Sequence, residues 1–307
     1  MNLSCIHSHT IFDHGIDDVE TNCRIAYEKG LKSLGFSGHA PVTKKTGFRT
    51  DWHIPDERFE EYMDCVRAAK KRWEGKLPIY LGLEVDFIEG LIGPNDRDYR
   101  EMGLDYIIGS VHYVAPPRGE PFTVDDSMEI VRKGIRKGYG GDAIGMVEAY
   151  FDAQAAMIHA GGFDVLGHSE LVKIINTEYK AQNKEEGLFA EDAEFYRSKL
   201  AALAGLMATE LTGENGLTTS VRIAEINTGG LNRGRIKECL PSLNFLKLFR
   251  EQCVPIVINA DAHKAEDLDG YYEEARKTLI AAGYTETFLF KGRENGKSVW
   301  EIERLCT

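Results

Sequence analysis

His7 and His9 close a short apolar run at the head of the chain, and in an extended strand residues two apart project to the same side. Both imidazoles can therefore address one point in space, as metal ligation requires. A single His-x-His is a weak signal, and its force here comes from where the remaining histidines fall. Of nine in the chain, His14, His39, His112, His168 and His263 each sit in or just after an apolar, strand-like run. His53 lies in a loop and His159 on a helical stretch, and both read as structural or solvent-facing. Glu84 and Asp261 also close apolar strands, where a carboxylate is costly to bury without a partner. Together these nitrogen and oxygen donors exceed the needs of one four-coordinate ion. Two or three ions are implied, and imidazole with carboxylate suits zinc, iron or manganese. Such a centre can acidify a bound water and hold both the attacking and leaving oxygens of a phosphoryl transfer.

The elements that must carry these side chains alternate along the sequence. After the first strand, Asp13-His14-Gly15 reads as a turn, and residues 17–30 as a helix with Gly30 as its stop signal. Further strands are expected at 32–37, 79–85, 106–112, 163–168, 223–227 and 254–259, with helices at 56–73, 143–160, 190–211, 241–252 and 268–282. The strands are nearly all apolar, which argues for a parallel sheet buried on both faces, and seven or so such units favour a barrel over an open sheet. His7, His9, His39, Glu84, His112, His168, Asp261 and His263 all fall at or just beyond a C-terminal strand end, the rim where barrels assemble active sites. The proline-rich segment 114–126 has the composition of a loop over a site. Residues 176–186 are polar, and an excursion from the barrel is expected around 170–190. Residues 1–307 otherwise read as one domain.

At 307 residues and 43% hydrophobic, the chain can bury a large core. Thirty-seven basic against forty-nine acidic side chains leave a formal charge of −12. That balance opposes binding to nucleic acid, and an anionic substrate would need a local basic patch. No charged leader precedes an apolar core and no long uninterrupted apolar stretch occurs, so neither a signal peptide nor a membrane span is expected, and a cytoplasmic location is. Six cysteines (Cys5, Cys23, Cys65, Cys239, Cys253 and Cys306) form no Cys-x-x-Cys pair. Their scatter suits buried, reduced thiols better than a disulfide frame or a thiolate zinc site.

His7-Ser-His9, Gly38-His39-Ala-Pro41, Gly82-Leu-Glu84, Gly109-Ser-Val-His112, Gly167-His168 and Asn259-Ala-Asp261-Ala-His263, in this order across nearly the whole chain, resemble the motifs of the polymerase and histidinol phosphatase (PHP) superfamily. Ser110-Val-His112-Tyr113 and Glu225-Ile-Asn-Thr-Gly-Gly-Leu-Asn-Arg233 are most similar to its histidinol-phosphate phosphatase branch. The resemblance implies an α/β fold, a distorted (β/α)7 barrel with a trinuclear divalent metal centre that hydrolyses phosphate monoesters. For this branch the substrate implied is L-histidinol phosphate, an intermediate of histidine biosynthesis. The family pattern would put His7, His9, Glu84 and Asp261 on one ion, with Glu84 bridging to a second that His112 and His168 also hold. His39 and His263 would bind the third together with a ligand from the loop after the first strand, where His14 is preferred to the adjacent Asp13. A metal-bridging hydroxide would be the nucleophile, with Glu84 and Asp261 as catalytic carboxylates and Asp261 able to relay a proton. After His168 the chain departs from the pattern. Ser169-Glu170-Leu171 stands where related members carry Pro-Asp or Leu-Asp, which bears on substrate choice more than on the metal.

A phosphate substrate in so acidic a chain calls for guanidinium groups, whose planar fork suits bidentate phosphate contact. Arg233 is the first candidate, Arg235 the second, and Arg118 in the loop after His112 the third. His53 and Arg49 are candidates for a lid. Glu225 lies inside its strand and reads as a hydrogen-bonded structural residue rather than a catalytic one. Other phosphatase chemistries find no support. No Cys is followed six positions later by Arg, and Gly167-His-Ser169-Glu-Leu171 lacks the second glycine of a nucleophile elbow. Asp96-Arg-Asp98 follows Gly-Pro-Asn rather than an apolar strand, and no phosphate-loop motif occurs. Two further readings stand beside the leading one: a PHP phosphoesterase acting on another small or nucleotide phosphate, and a non-catalytic metal-binding regulatory module.

Overall fold

Ile79–Asp86 is buried at every position, as a strand covered on both faces by other elements must be. The computed structural model describes residues 3–48, 50–183, 186–209 and 222–305, so Arg49 and Cys306 lie outside the described residues. In chain order the elements are β1 (Ser4–Cys5), α1 (Val19–Glu28), β2 (Ser33–Phe36), α2 (Thr43–Thr46), α3 (Phe59–Arg72), β3 (Ile79–Asp86), α4 (Arg97–Glu101), β4 (Tyr106–Ser110), β5 (Tyr113–Val114), β6 (Phe122–Thr123), α5 (Met128–Gly138), α6 (Ala143–Ala160), β7 (Val165–Leu166), α7 (Val172–Gln182), α8 (Glu194–Thr209), β8 (Ile223–Asn227), α9 (Gly229–Asn232), α10 (Leu243–Glu251), β9 (Ile256–Asn259), α11 (Tyr272–Ala281), β10 (Glu286–Glu294) and β11 (Lys297–Arg304). Seven strands pair in the order β1-β2-β3-β4-β7-β8-β9, every pair parallel. The two edges then meet. Ser8 past β1 bridges Ala262 past β9, and the His9 amide donates to the Ala262 carbonyl at 2.9 Å. The outcome is the nearly closed (β/α)7 barrel expected from the apolar runs.

Local chemistry places the helices. Asp18 caps α1 by accepting from the Thr21 amide at 2.7 Å, and Asp142 caps α6 by accepting from the Gly145 amide at 3.0 Å. Caps of this kind each contribute about 1 kcal/mol. The expected polar excursion is partly helical. Helix α7 turns Val172, Ile174 and Ile175 inward, and its buried Asn176 accepts from the Leu188 amide at 2.9 Å and donates to the Phe189 carbonyl at 3.2 Å. A polar residue is thus buried because its side chain satisfies backbone groups. Residues 184–185, and 210–211 at the end of the expected 190–211 helix, lie outside the described residues. Cys5, Cys23, Cys65, Cys239 and Cys253 are free thiols; Cys253 is exposed, contrary to expectation. Among the described residues no helix is long and apolar enough to cross a membrane.

The elements not anticipated include helix α5 and the antiparallel hairpin β10–β11. The hairpin closes the barrel at the N-terminal ends of its strands. There Tyr106 fills the interior, its hydroxyl donating to the Ile6 carbonyl at 2.5 Å. Gly82 makes room for it, since a Cβ there would lie 2.4 Å from the ring. Phe290 of β10 packs edge-on to Tyr80, Tyr106 and Trp300 with centroids 4.8, 5.2 and 5.0 Å away. With Ile6, Ile108, Val165, Ile223 and Val257 these rings form a second small core. Phe290→Ala should cost about 3–5 kcal/mol, read as a lowered urea midpoint with unchanged m-value. An unshifted midpoint would show that the hairpin does not seal the barrel.

Candidate metal centre

Glu84 is the hub toward which the strand ends converge. Its Oε2 lies 3.1 Å from His7 Nε2 and 3.1 Å from His39 Nδ1, and its Oε1 lies 2.8 Å from His168 Nε2 and 3.5 Å from His112 Nε2. Asp261 Oδ1 stands 3.1 Å from His9 Nε2 and 3.8 Å from His7 Nε2. His14 Nε2 is 2.7 Å from His263 Nε2 and 3.1 Å from His39 Nε2. The barrel therefore brings together His7, His9, His14, His39, Glu84, His112, His168, Asp261 and His263.

A second layer of carboxylates aims these rings. Glu225, fully buried, accepts from His7 Nδ1 at 3.0 Å, from the His168 amide at 2.7 Å, and from the amides of Asn227 and Asn259, each at 2.8 Å. It thereby turns His7 Nε2 toward Glu84, as an outer-shell carboxylate does for a ligating imidazole. Asp13 does the same for His9, accepting from Nδ1 at 2.6 Å, and also takes the His39 amide at 3.2 Å. Asp13 thus orients His9 while His14 faces the cluster. Asp86 accepts from His112 Nδ1 at 2.8 Å and from His53 Nε2 at 2.8 Å, and His53 Nδ1 lies 2.7 Å from Thr50 Oγ1. His53 is thus a buried tie rather than a solvated loop residue. The orienting role of Asp86 went unread in the sequence, although it stands two residues after Glu84 and so projects to the same side of β3. His159, at the C-terminal turn of α6, donates from Nδ1 to the Ala155 carbonyl at 2.8 Å and stands apart from the site.

The donor set fits divalent cations. His9 Nε2 and His39 Nδ1 are buried 3.1 Å from Asp261 and Glu84 without an aligned hydrogen bond to either, a condition native structures rarely leave unexplained. Burial, reinforced by the neighbouring His9 charge, lowers the pKa of His14 to about 4, and burial holds His39 and His263 well below the ordinary imidazole value. Three rings of lowered basicity thus converge through their Nε2 atoms. Burial opposes ionisation of Glu84 and Asp261, yet His39 and His7 hold Glu84, and Arg233 and His7 hold Asp261, well below the usual carboxylate range. Burial opposes charging of His7, His9 and His112 as well, but Glu225 and Glu84 raise His7 well above its ordinary value. Asp13 lifts His9 to about 9, and Asp86 lifts His112 to about 10. Rings poised in this way release protons when a cation takes their lone pairs.

Above the cluster lies a cavity of about 390 Å³ that Arg233 and Arg235 both line. Arg233 donates to Asp261 Oδ2 at 3.1 Å and lies 3.0 Å from His263 Nδ1, beside the proposed cation ligands. Arg235 is bound to Glu178 at 2.8 Å and to the Asp125 carbonyl at 2.7 Å. Arg118 does not reach the cavity. The β5–β6 pairing of Val114 with Phe122 carries it out on the connecting turn, where it is exposed. Thr123, Asp125 and Asp126 at the base of that hairpin line the cavity instead.

Asp261 holds a left-handed backbone at φ +46, a conformation that non-glycine residues adopt at a cost. Its carboxylate lies so close to the start of α9 that a Cβ on Gly229 would come within 2.6 Å of Oδ2. Gly229→Ala should therefore displace Asp261 and lower metal affinity and kcat/KM about 10- to 100-fold, with circular dichroism unchanged. Wild-type metal affinity in this variant would show that the carboxylate moves aside freely.

Residues 6–205 match the PHP domain family. The chain belongs to that family. Full-length relatives of this PHP protein include a probable histidinol-phosphatase of Deinococcus radiodurans, 25% identical over 92% of this chain and 95% of that protein. The histidinol-phosphatase of Bacillus subtilis is 26% identical over 87% of this chain and 96% of its own. Among solved structures, a Listeria monocytogenes protein assigned as the histidinol phosphatase HisK superposes with a TM-score of 0.72, at 22% identity, over 88% of this chain and 99% of that one. The histidinol phosphate phosphatase of Lactococcus lactis, solved with zinc, L-histidinol and phosphate, gives a TM-score of 0.55 at 16% identity, over 95% of this chain and 98% of that one. At these identities the two structures speak to the shared barrel.

Proposed function

We propose that this protein is a divalent-metal-dependent phosphomonoesterase that hydrolyses L-histidinol phosphate to L-histidinol and phosphate. The observation that carries the reading is the convergence of seven imidazoles on the Glu84 and Asp261 carboxylates, where two buried ring nitrogens stand 3.1 Å from a carboxylate oxygen without an aligned hydrogen bond to it. The Deinococcus and Bacillus relatives, matched over nearly their full lengths, support the choice of substrate. His7, His9, Glu84 and Asp261 would hold one cation, Glu84, His112 and His168 a second, and His14, His39 and His263 a third, zinc, iron and manganese being the metals that suit these donors. Bound there, divalent cations supply an acidified water as nucleophile and neutralise developing charge on the phosphoryl oxygens.

The chain's own groups do the rest. Arg233 meets the phosphoryl oxygens with a fork suited to them, which the overall charge of −12 makes necessary. Asp261, kept ionised by Arg233 and His7, accepts a proton at its carboxylate and returns it to the leaving alkoxide. Glu225, Asp13 and Asp86 keep the rings aimed. Steady-state assay of the metal-replete protein on a panel of phosphate monoesters tests the reading. L-Histidinol phosphate should give the highest kcat/KM; comparable turnover of the others would overturn the substrate, and no turnover of any would overturn the activity.

A further inference from the structure

Trp52, on the loop after β2, lines the same cavity as Arg233, on the loop after β8. Around the seven-strand ring β2 and β8 are three steps apart by the shorter way, as far apart as two strands of such a ring can stand. A phosphate held beside Arg233 leaves the Trp52 side of the cavity for the rest of its molecule. The indole is fixed from behind. Its ring centroid lies 3.7 Å from that of His53 and 5.7 Å from that of Tyr113, nearly parallel to the latter at 19°. Asp86 of β3 in turn ties His53 to the barrel at 2.8 Å. A wall already locked in place loses little freedom when a ligand covers it. Asp51, its neighbour in sequence, and Asp125, on the loop after β6, line the same cavity.

From these observations we infer that Trp52 is the specificity-determining residue for the organic end of the substrate. It stacks on a flat heteroaromatic ring while Asp51 and Asp125 receive an accompanying ammonium group. The inference rests on the phosphatase reading above and deepens it. An indole face favours aromatic and cationic groups, and a phosphate monoester of a simple polyol offers neither.

Trp52 also packs against His39 and His112, with centroids 4.7 and 5.3 Å away, so the test must separate selection from support of the metal ligands. Trp52→Ala and Trp52→Phe would be assayed on L-histidinol phosphate and on glycerol 2-phosphate, with metal content measured in each preparation. In Trp52→Ala, kcat/KM on L-histidinol phosphate should fall roughly ten- to thirtyfold, mainly through KM. Trp52→Phe should recover most of that loss, and in both variants turnover of glycerol 2-phosphate should fall far less than turnover of L-histidinol phosphate, with metal content retained. Parallel losses on both substrates, or loss of metal, overturn the inference. A second measurement does not depend on turnover. L-Histidinol titrated into the metal-loaded protein should quench tryptophan fluorescence, and Trp52→Phe, which keeps only Trp73 and Trp300, should not respond. An undiminished response overturns the inference. Wild-type protein inactive on both phosphates would overturn the phosphatase reading and leave the titration to decide the role of Trp52.

Discussion

Glu84→Gln is expected to leave the barrel folded and to lower kcat/KM by at least about 10³-fold, the loss of several kcal/mol of charge stabilisation. The carboxylate is 1% exposed and faces four imidazoles through its two oxygens. An amide keeps the shape but removes the negative charge, and it turns an N–H toward a ring that offers its lone pair to a cation. Metal content of the purified variant, measured by elemental analysis beside kcat/KM, should fall with activity. Activity near that of wild type would show that the cluster takes no part in catalysis.

Stripping the cations should have an effect of the same order. Dialysis against a chelator is expected to bring hydrolysis to background, with zinc, manganese or ferrous iron restoring it. The same treatment should lower Tm, because a ligand that binds only the folded chain at about a thousandfold over its Kd contributes about 4 kcal/mol of stability. The sign follows from the site itself, in which His14, His39 and His263 bring their Nε2 atoms together, so that a cation held by their lone pairs binds only the folded chain. Chelator-resistant activity would count against a metal-dependent reaction, and an unmoved Tm against cation-linked stability.

The strand ends were legible because their chemistry is local. An apolar run that closes on His or Glu announces both a buried strand and a polar task, so His7, His39, Glu84, His168 and Asp261 could be read one at a time. What supports them was not, because support runs between distant segments. Glu225 acts on His7 across 218 positions and on Asn259 across 34, and nothing in its own strand reveals either partner. His53 reads as an isolated loop histidine until β3 brings Asp86 beneath it. The β10–β11 hairpin hid behind its mixed polar composition, although Asn295-Gly296, with φ values of +49 and +77, is the usual residue pair of a tight two-residue hairpin turn. Arg118 shows the opposite case: a loop close to the site in sequence projects away from the cavity in space.

The bridge between Ser8 and Ala262 also sets a rule for biosynthesis. The partners of the first strand's histidines, Asp261 and His263, stand more than 250 residues further along the chain, and the sealing aromatic Phe290 comes later still. A nascent chain halted short of them holds an open cup with an incomplete ligand set. Cation capture by the complete ligand set therefore has to follow closure of the ring, and removing β9 would forfeit the centre along with the barrel.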